Sequence, residues 1–231
     1  MDNRCIAFCD SGIGGLPLLK RVSAACPKEN FVYYADSKNM PYGDKTEEEL
    51  SLICDNVMRT LLSFAPKLIV TACNTLSTFM REHKNFYGVP IVGVFPAAYI
   101  GRKGYIICTP NTANSKYVQS LKVDGVNIIA ANGLAEEIEN ALFDRREPNI
   151  KKWFDKIDRS ADFISLGCTH YEFVSKKCEQ MFENAKIIDG SGQAERKIKK
   201  FVADFPSLQD SGKVCFIGEK NDKIKDIFYN F

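Results

Sequence analysis

The sequence predicts an α/β protein of two similar lobes, each on a mainly parallel sheet, pseudo-two-fold related and with the functional cleft between them. Three observations predict it. Short apolar runs alternate with longer amphipathic stretches along nearly all of the 231 residues, which is the pattern of strand–helix units. One strand-and-turn segment ending in Cys73 recurs 95 positions later, ending in Cys168. Finally, 45% hydrophobic and 26% charged residues suit a globular chain with a real core.

Strand-like runs fall at 4–9, 31–35, 67–72, 90–94, 104–108, 126–130, 162–166, 186–188 and 213–217. Helical patterns lie between most of them. The clearest covers 46–64, where Leu50, Ile53, Val57, Leu61 and Leu62 recur at helical spacing. Thr46 followed by Glu49 opens it with a capping-box pattern. In such sheets ligands bind beyond the carboxyl ends of strands, so the residues just after each strand are the ones to inspect.

Inspection there finds the near-repeat. The first copy is Leu68-Ile69-Val70-Thr71-Ala72-Cys73-Asn74-Thr75, and the second is Phe163-Ile164-Ser165-Leu166-Gly167-Cys168-Thr169-His170. Each is a buried strand, a small residue that permits a tight turn, a cysteine, and two polar residues at a helix start whose N–H groups face an anion. The spacing is that of one small α/β lobe. Two such lobes facing each other place one thiol on each side of a shared cleft. A break near Pro96 fits the first crossing, and the last strand and helix fit a return. The first lobe is therefore expected to hold 1–95 with about 207–231, and the second 96–206.

The formal charge of +2, from 31 basic and 29 acidic residues, carries no basic block. Lys197, Lys199 and Lys200 sit among apolar residues as a solvated helix face, so a nucleic-acid surface is not indicated. The nine cysteines (5, 9, 26, 54, 73, 108, 168, 178 and 215) form no CxxC pair, and their odd number in so long a chain does not suit a disulfide scaffold. With only two histidines, His83 and His170, a zinc site is disfavoured. Met1-Asp2-Asn3-Arg4 runs straight into a strand-like segment, and no apolar run is long enough to span a bilayer. The expectation is a cytoplasmic protein with reduced thiols and neither metal, nucleic-acid nor membrane partners.

Asp10-Ser11-Gly12-Ile13-Gly14-Gly15 follows the first strand. Its glycines permit close backbone approach, and Ser11 can bind a carboxylate or an ammonium. It is neither GxGxxG nor a Walker loop, which disfavours nucleotide binding. Asp10 fits a helix cap as well as a functional carboxylate. Pro41-Tyr42-Gly43, taken alone, reads as a turn. For Cys73 and Cys168 the plain alternative is a small buried hydrophobe. Against it, each ends a strand beside helix-start donors, where a thiol pKa tends to fall from about 8.5 toward neutrality. Cys9 and Cys108 also end strands but lack the following Asn-Thr or Thr-His pair. Cys9 reads as core beside Asp10, and the other five cysteines as structural. His83 reads as surface. His170 is structural or tunes the neighbouring thiol. A Cys-His pair also invites a thiol-protease or acyl-transfer reading, though that chemistry does not need a second cysteine in a matching context.

Taken together, Asp10-Ser11-Gly12-Ile13-Gly14-Gly15, Pro41-Tyr42-Gly43, Cys73-Asn74-Thr75 and Gly167-Cys168-Thr169-His170-Tyr171 resemble the glutamate racemases of the aspartate/glutamate racemase superfamily. The resemblance continues through Thr109-Pro110-Asn111-Thr112-Ala113-Asn114-Ser115 and Ile188-Asp189-Gly190-Ser191-Gly192, so it covers nearly the whole chain. It implies an amino-acid racemase without cofactor or metal that interconverts L- and D-glutamate and supplies D-glutamate for peptidoglycan. By the same resemblance Cys73 and Cys168 are the catalytic acid/bases, assisted by Asp10 and His170 respectively. Asp10, Ser11, Pro41, Tyr42, Gly43, Asn74, Thr75, Thr112, Thr169 and His170 surround the substrate. A family glutamate that contacts the histidine corresponds to Glu139, and a homodimer stays open. Two departures stand out: Glu172 where the family usually has Pro, and a shorter segment between Asn140 and Ser160. A racemase of another amino acid such as aspartate, a thiol-dependent lyase or isomerase, and a non-catalytic amino-acid-binding or regulatory protein on the same fold are the rivals.

Overall fold

Parallel pairing of short buried strands organises the chain, seen in a computed structural model that describes residues 2–83 and 87–230; Met1, 84–86 and Phe231, which the expected first lobe includes, lie outside the described residues. One sheet takes β1 (Ile6–Asp10), β2 (Phe31–Ala35), β3 (Leu68–Thr71) and β4 (Ile91–Gly93). A second takes β5 (Gly104–Cys108), β6 (Val126–Ala130), β7 (Phe163–Gly167) and β8 (Lys186–Asp189). Then β9 (Val214–Gly218) returns to pair with β2. These boundaries lie within two residues of the sequence-based runs, the usual uncertainty of an element's ends.

The strand orders are β4-β3-β1-β2-β9 and β6-β5-β7-β8, all parallel. Read from its other edge, the second sheet is β8-β7-β5-β6, which repeats β4-β3-β1-β2 strand for strand. In both, the chain leaves the middle strand to one side and then crosses to the other. A crevice therefore opens beyond the carboxyl ends of β1 and β3, and another beyond β5 and β7. These are the ends that carry Asp10, Cys73, Thr109 and Cys168.

Ten helices cover the sheets among the described residues. They are α1 (Leu16–Ala25), α2 (Glu47–Leu62), α3 (Asn74–His83), α4 (Pro110–Asn114) and α5 (Lys116–Ser120). The chain continues with α6 (Leu134–Phe143), α7 (Lys151–Phe154), α8 (Ser175–Met181), α9 (Ser191–Asp204) and α10 (Asn221–Asn230). The expected capping box starts α2: the Thr46 hydroxyl accepts from Glu49 N–H at 3.2 Å while the Glu49 carboxylate accepts from Thr46 N–H at 2.8 Å. Alternation along β1 splits the first core in two. Ile6 and Phe8 pack under α1, α9 and α10, whereas Ala7 and Cys9 pack under α2 and α3. No helix among the described residues is long and apolar enough to cross a membrane.

The expected lobe boundary near 207 needs correction. Helix α9 begins at Ser191, and its Ala194 and Ile198 are buried with Leu16, Leu19 and Val22 against the first sheet. The chain thus returns at Gly190, because the apolar stripe of α9 matches the face beside α1. At that point a side chain on Gly190 would collide with the backbone of Phe95, so the outward and return crossings lie side by side.

Opposite the crevice, one buried ion pair closes the first sheet. Lys67 Nζ lies 2.7 Å from Glu29 Oε2 with both side chains at most 2% exposed, and donates to the Asp2 and Phe205 carbonyls at 2.8 and 2.9 Å. Glu29 accepts from Ser207 N–H and Oγ at 2.9 and 3.1 Å. Removing one partner strands a buried charge, at a cost of about 3–5 kcal/mol. Lys67→Met is therefore expected to lose that much stability in urea unfolding, and the double variant with Glu29→Gln should recover part of it. Equal losses for the single and double variants would refute this.

Candidate active site

The two crevices face each other, and polar contacts sew them together. The Asp10 carboxylate, at the end of β1, accepts from Gly12 N–H at 2.9 Å and, across the cleft, from the Thr169 hydroxyl at 2.9 Å. Ser11 Oγ stands 3.5 Å from Asp10 Oδ1. On the second side Glu139, buried on α6, accepts from Ile13 N–H at 2.9 Å and meets His170 Nε2 at 2.8 Å. The glycine loop fits only because it lacks side chains. A Cβ on Gly14 would lie 2.5 Å from Thr169 Oγ1 and 2.6 Å from His170 Nδ1, and one on Gly12 would run into the Glu139 carboxylate.

A second seam joins Thr75, Thr109 and Thr112, whose hydroxyls form a triangle with sides of 3.0 Å. Gly43 packs so closely on Thr109 that a Cβ would sit 2.5 Å from the threonine Cβ. Asn111 donates to the carbonyls of Tyr42 and Lys45 at 3.0 and 2.7 Å, fastening the half-buried Pro41 and its neighbours to the second sheet. Tyr42 itself gives its hydroxyl proton to Asp36 at 2.8 Å. Asn74 turns its amide to the Val94 carbonyl at 3.2 Å, toward its own sheet.

The two thiols sit in unlike surroundings. Cys73 begins the turn into α3 and is buried. Burial pushes its thiol pKa up strongly, and the charge on Asp10 adds to this, against backbone hydrogen bonds at Leu76 and Thr75. The fall toward neutrality expected at a helix start is thus overturned, because exclusion of water outweighs the peptide donors. A charge on Cys168 is a further cause of the rise, so the two sulfurs feel one another. Cys168 instead has a basic neighbour: its Sγ is 3.9 Å from His170 Nδ1. Burial alone would lower the His170 pKa, but hydrogen bonds to Cys168 and Glu139 and the charge on Asp10 win and hold it well above the ordinary imidazole value. Asp10 is raised by burial, partly offset by His170, Gly12 and Thr169.

Of the residues expected from the sequence, Asp10, Ser11, Cys73, Thr75, Thr112, Cys168, Thr169, His170 and Glu139 line these contacts, whereas Tyr42 and Asn74 face inward to Asp36 and Val94. Thr109, Asn111, Asp36 and Tyr33 were missed. The Tyr33 hydroxyl bridges the loop, donating to the Gly12 carbonyl at 2.8 Å and accepting from Gly15 N–H at 3.2 Å. The strand-end rule, applied to β5 and β2 as well as to the cysteine strands, points to Thr109 and Asp36; Tyr33, inside a strand, leaves no such signal.

Among the described residues no group of three His, Cys, Asp or Glu is placed to hold a metal ion. What the arrangement offers is two thiols, one imidazole, two buried carboxylates and several hydroxyl donors around a dry seam. That set can move protons on an anionic small molecule.

The Glu139–His170 bond has a direct consequence. Glu139→Gln removes one of the causes that raise the His170 pKa, so in NMR titration its imidazole should lose its proton at lower pH than in the wild type. The sign for stability follows: a raised base stabilises the fold fully below its unfolded value and loses that contribution as pH rises through its folded one. The variant should therefore be destabilised near neutrality more than in alkali. An unchanged titration would show that Glu139 does not hold the proton there.

Comparison with known protein families matches no family model. Against individual proteins the likeness is extensive. The glutamate racemase of Clostridium botulinum (strain 657 / Type Ba4) is 34% identical, with 99% of this chain and 97% of that protein covered. Among solved structures, the glutamate racemase of Francisella tularensis with D-glutamate superposes with a TM-score of 0.81 at 22% identity, over 100% of this chain and 95% of the other. That of Thermus thermophilus with β-chloro-D-alanine gives 0.80 at 24%, over 96% and 91%. The two structures establish the fold and the C. botulinum protein the kinship: the chain belongs to the glutamate racemase family.

Proposed function

We propose that the chain interconverts L- and D-glutamate without a cofactor, passing α-protons between Cys73 and Cys168, and so supplies D-glutamate for peptidoglycan. The observation that carries this reading is placement. Each thiol ends a strand at the crevice of its own sheet, and the two crevices are joined by the Asp10–Thr169 bond and the threonine triangle. The C. botulinum relative is named for this activity, and the F. tularensis structure holds D-glutamate.

Racemisation takes a proton from one face of the α-carbon and returns one to the other. A thiolate takes the proton, the electron pair passes into the α-carboxylate, and the opposite thiol supplies the new proton. Afterwards the two sulfurs have exchanged protonation states. A single fixed base would have to cross the substrate plane; two opposed ones do not. With no pyridoxal ring to spread the charge, the carboxylate must be stabilised by hydrogen bonds in a dry site. Ser11, Thr75, Thr112, Thr169 and the N–H groups opening α3 are the donors within reach of the seam.

The unlike surroundings of the thiols suggest how each is armed. His170, charged and held by Glu139, hands a hydrogen bond to Cys168. None of the groups that most perturb Cys73 among the described residues is a cation, and the substrate ammonium beside Asp10 fills that role. Binding would thus prepare the first-sheet base at the moment it is needed.

Half-reactions test the reading. An amino acid with a β-leaving group loses its α-proton to one base and then expels the leaving group with its electron pair, so it needs no second thiol. By family resemblance Cys168 serves the L-form and Cys73 the D-form. Cys73→Ser should therefore still eliminate from the L-analogue and fail on the D-analogue, with Cys168→Ser the reverse. Both should abolish racemisation. Equal loss of both eliminations in folded variants would sink the two-base reading. Wild-type activity should survive exhaustive dialysis against EDTA. It should also favour glutamate over aspartate by about 10²–10³ in kcat/KM, the few kcal/mol of a misplaced carboxylate.

A further inference from the structure

We infer that Arg21 and Glu172 form a positioning clamp that holds the turn bearing Cys168 and His170 against α1, and that proton transfer on the Cys168 side depends on it. The inference rests on the two-base reading above. It begins from an asymmetry in how the two thiols are carried. Cys73 leads into α3, a ten-residue α-helix whose Leu76, Phe79 and Met80 are rooted in the first core. Cys168 leads into a six-residue 3-10 turn, Thr169–Val174. Such turns have poorer hydrogen-bond geometry and little stability of their own. Tyr171 and Val174 root that turn in the second core, and its opposite, polar side is where a further attachment can act.

Glu172 supplies the attachment point. It lies two residues beyond His170 on the same turn, and its carboxylate meets Arg21 through both oxygens, Oε1 to Nη1 and Oε2 to Nη2. Arg21 is anchored in turn. Its Nε donates to Glu195 at 3.1 Å and its Nη2 to Ser191 Oγ at 2.7 Å. Ser191 is itself tied to Asp189 through its N–H and Oγ at 2.7 and 2.6 Å. One guanidinium therefore joins a first-sheet helix, the return crossing and the turn that carries the second thiol. The Glu172 side chain is only 17% exposed against 38% for Arg21, so water screens the pair less than an ordinary surface bridge. The fork-to-carboxylate geometry also fixes direction, which a lysine's point charge would not. The positive charge balances Glu172 and Glu195, the latter also paired with Lys199 at 2.6 Å.

The test must separate positioning from mere stability. Racemisation has an equilibrium constant of one, so kcat/KM is the same in both directions and cannot reveal which face has slowed. Primary isotope effects can. With L-[2-²H]glutamate the effect reports abstraction by the Cys168 side, and with D-[2-²H]glutamate by the Cys73 side. Arg21→Ala and the nearly isosteric Glu172→Gln are expected to lower kcat roughly ten- to hundred-fold, the scale of small misplacements at a reacting centre. The isotope effect should grow with the L-substrate and not with the D-substrate. Amide hydrogen exchange across 168–174 should accelerate in both variants, and the swapped pair Arg21→Glu/Glu172→Arg should restore part of both readouts. Glu195→Gln, which weakens one of the two bonds from Arg21 to α9 without touching the turn, should leave the isotope effects balanced. If Glu172→Gln keeps wild-type exchange in 168–174 and equal isotope effects for the two enantiomers, the clamp is overturned. A wild-type protein without racemase activity would instead overturn the functional reading, and the exchange measurement would still decide whether Arg21 holds the turn.

Discussion

Asp10 belongs to one sheet and Thr169 to the other, and the 2.9 Å bond between them is the constraint around which the site is arranged. It requires the ends of β1 and β7 to meet almost in contact. That in turn requires a loop without side chains, which is why Gly12 and Gly14 stand where any Cβ would strike Glu139, Thr169 or His170. The same approach drives water from between the sheets. Dryness then sets the electrostatics: Cys73 and Asp10 are both pushed toward their neutral forms by burial, while His170 keeps its proton because partners replace the lost solvent.

Repetition of topology does not bring repetition of chemistry. The order β4-β3-β1-β2 recurs as β8-β7-β5-β6, and the pairing of β1 with β3 recurs as that of β5 with β7. Corresponding positions have nevertheless diverged. The middle strand of the first sheet ends in Asp10 and that of the second in Cys108; where the first cysteine opens an α-helix, the second opens a 3-10 turn backed by an imidazole and a carboxylate. The Thr109 hydroxyl, one residue beyond that strand, joins those of Thr75 and Thr112.

What lies behind the site keeps its two halves in register. The outward and return crossings touch at Phe95 and Gly190, and α9 then packs at once on α1. Arg21 reaches from that packing to Glu172, and so from the rear of the cleft to the turn at its front. At the far end of the first sheet, Lys67 gathers Asp2, Glu29 and Phe205 into one buried knot. Buried or half-buried charges thus sit where separate stretches of chain must be held together. There their directional bonds specify a geometry that apolar packing alone leaves loose.

The strands, the α2 capping box and the two cysteine turns were legible in the sequence because each is written in local pattern: runs of apolar residues, a Thr-Glu pair, a small residue before a thiol. The strand-end rule marked Asp10, Cys73 and Cys168 for the same reason, and family resemblance pointed to His170 and Glu139. Several things were not legible. The direction of the Cys73 thiol's shift depends on how completely the opposite sheet excludes water, and no local pattern records that. The partner of Glu172 lies 151 residues away at Arg21, which in turn reaches α9, so the bridge it makes leaves no local pattern. Helix α9 joins the first sheet because its apolar stripe fits beside α1, a match of surfaces rather than of sequence. The sequence by itself determined the elements and where chemistry gathers along the chain. Only the tertiary structure decided which side chains meet across the cleft and what charge each can hold, because burial and long-range contact exist only once the two sheets are packed together.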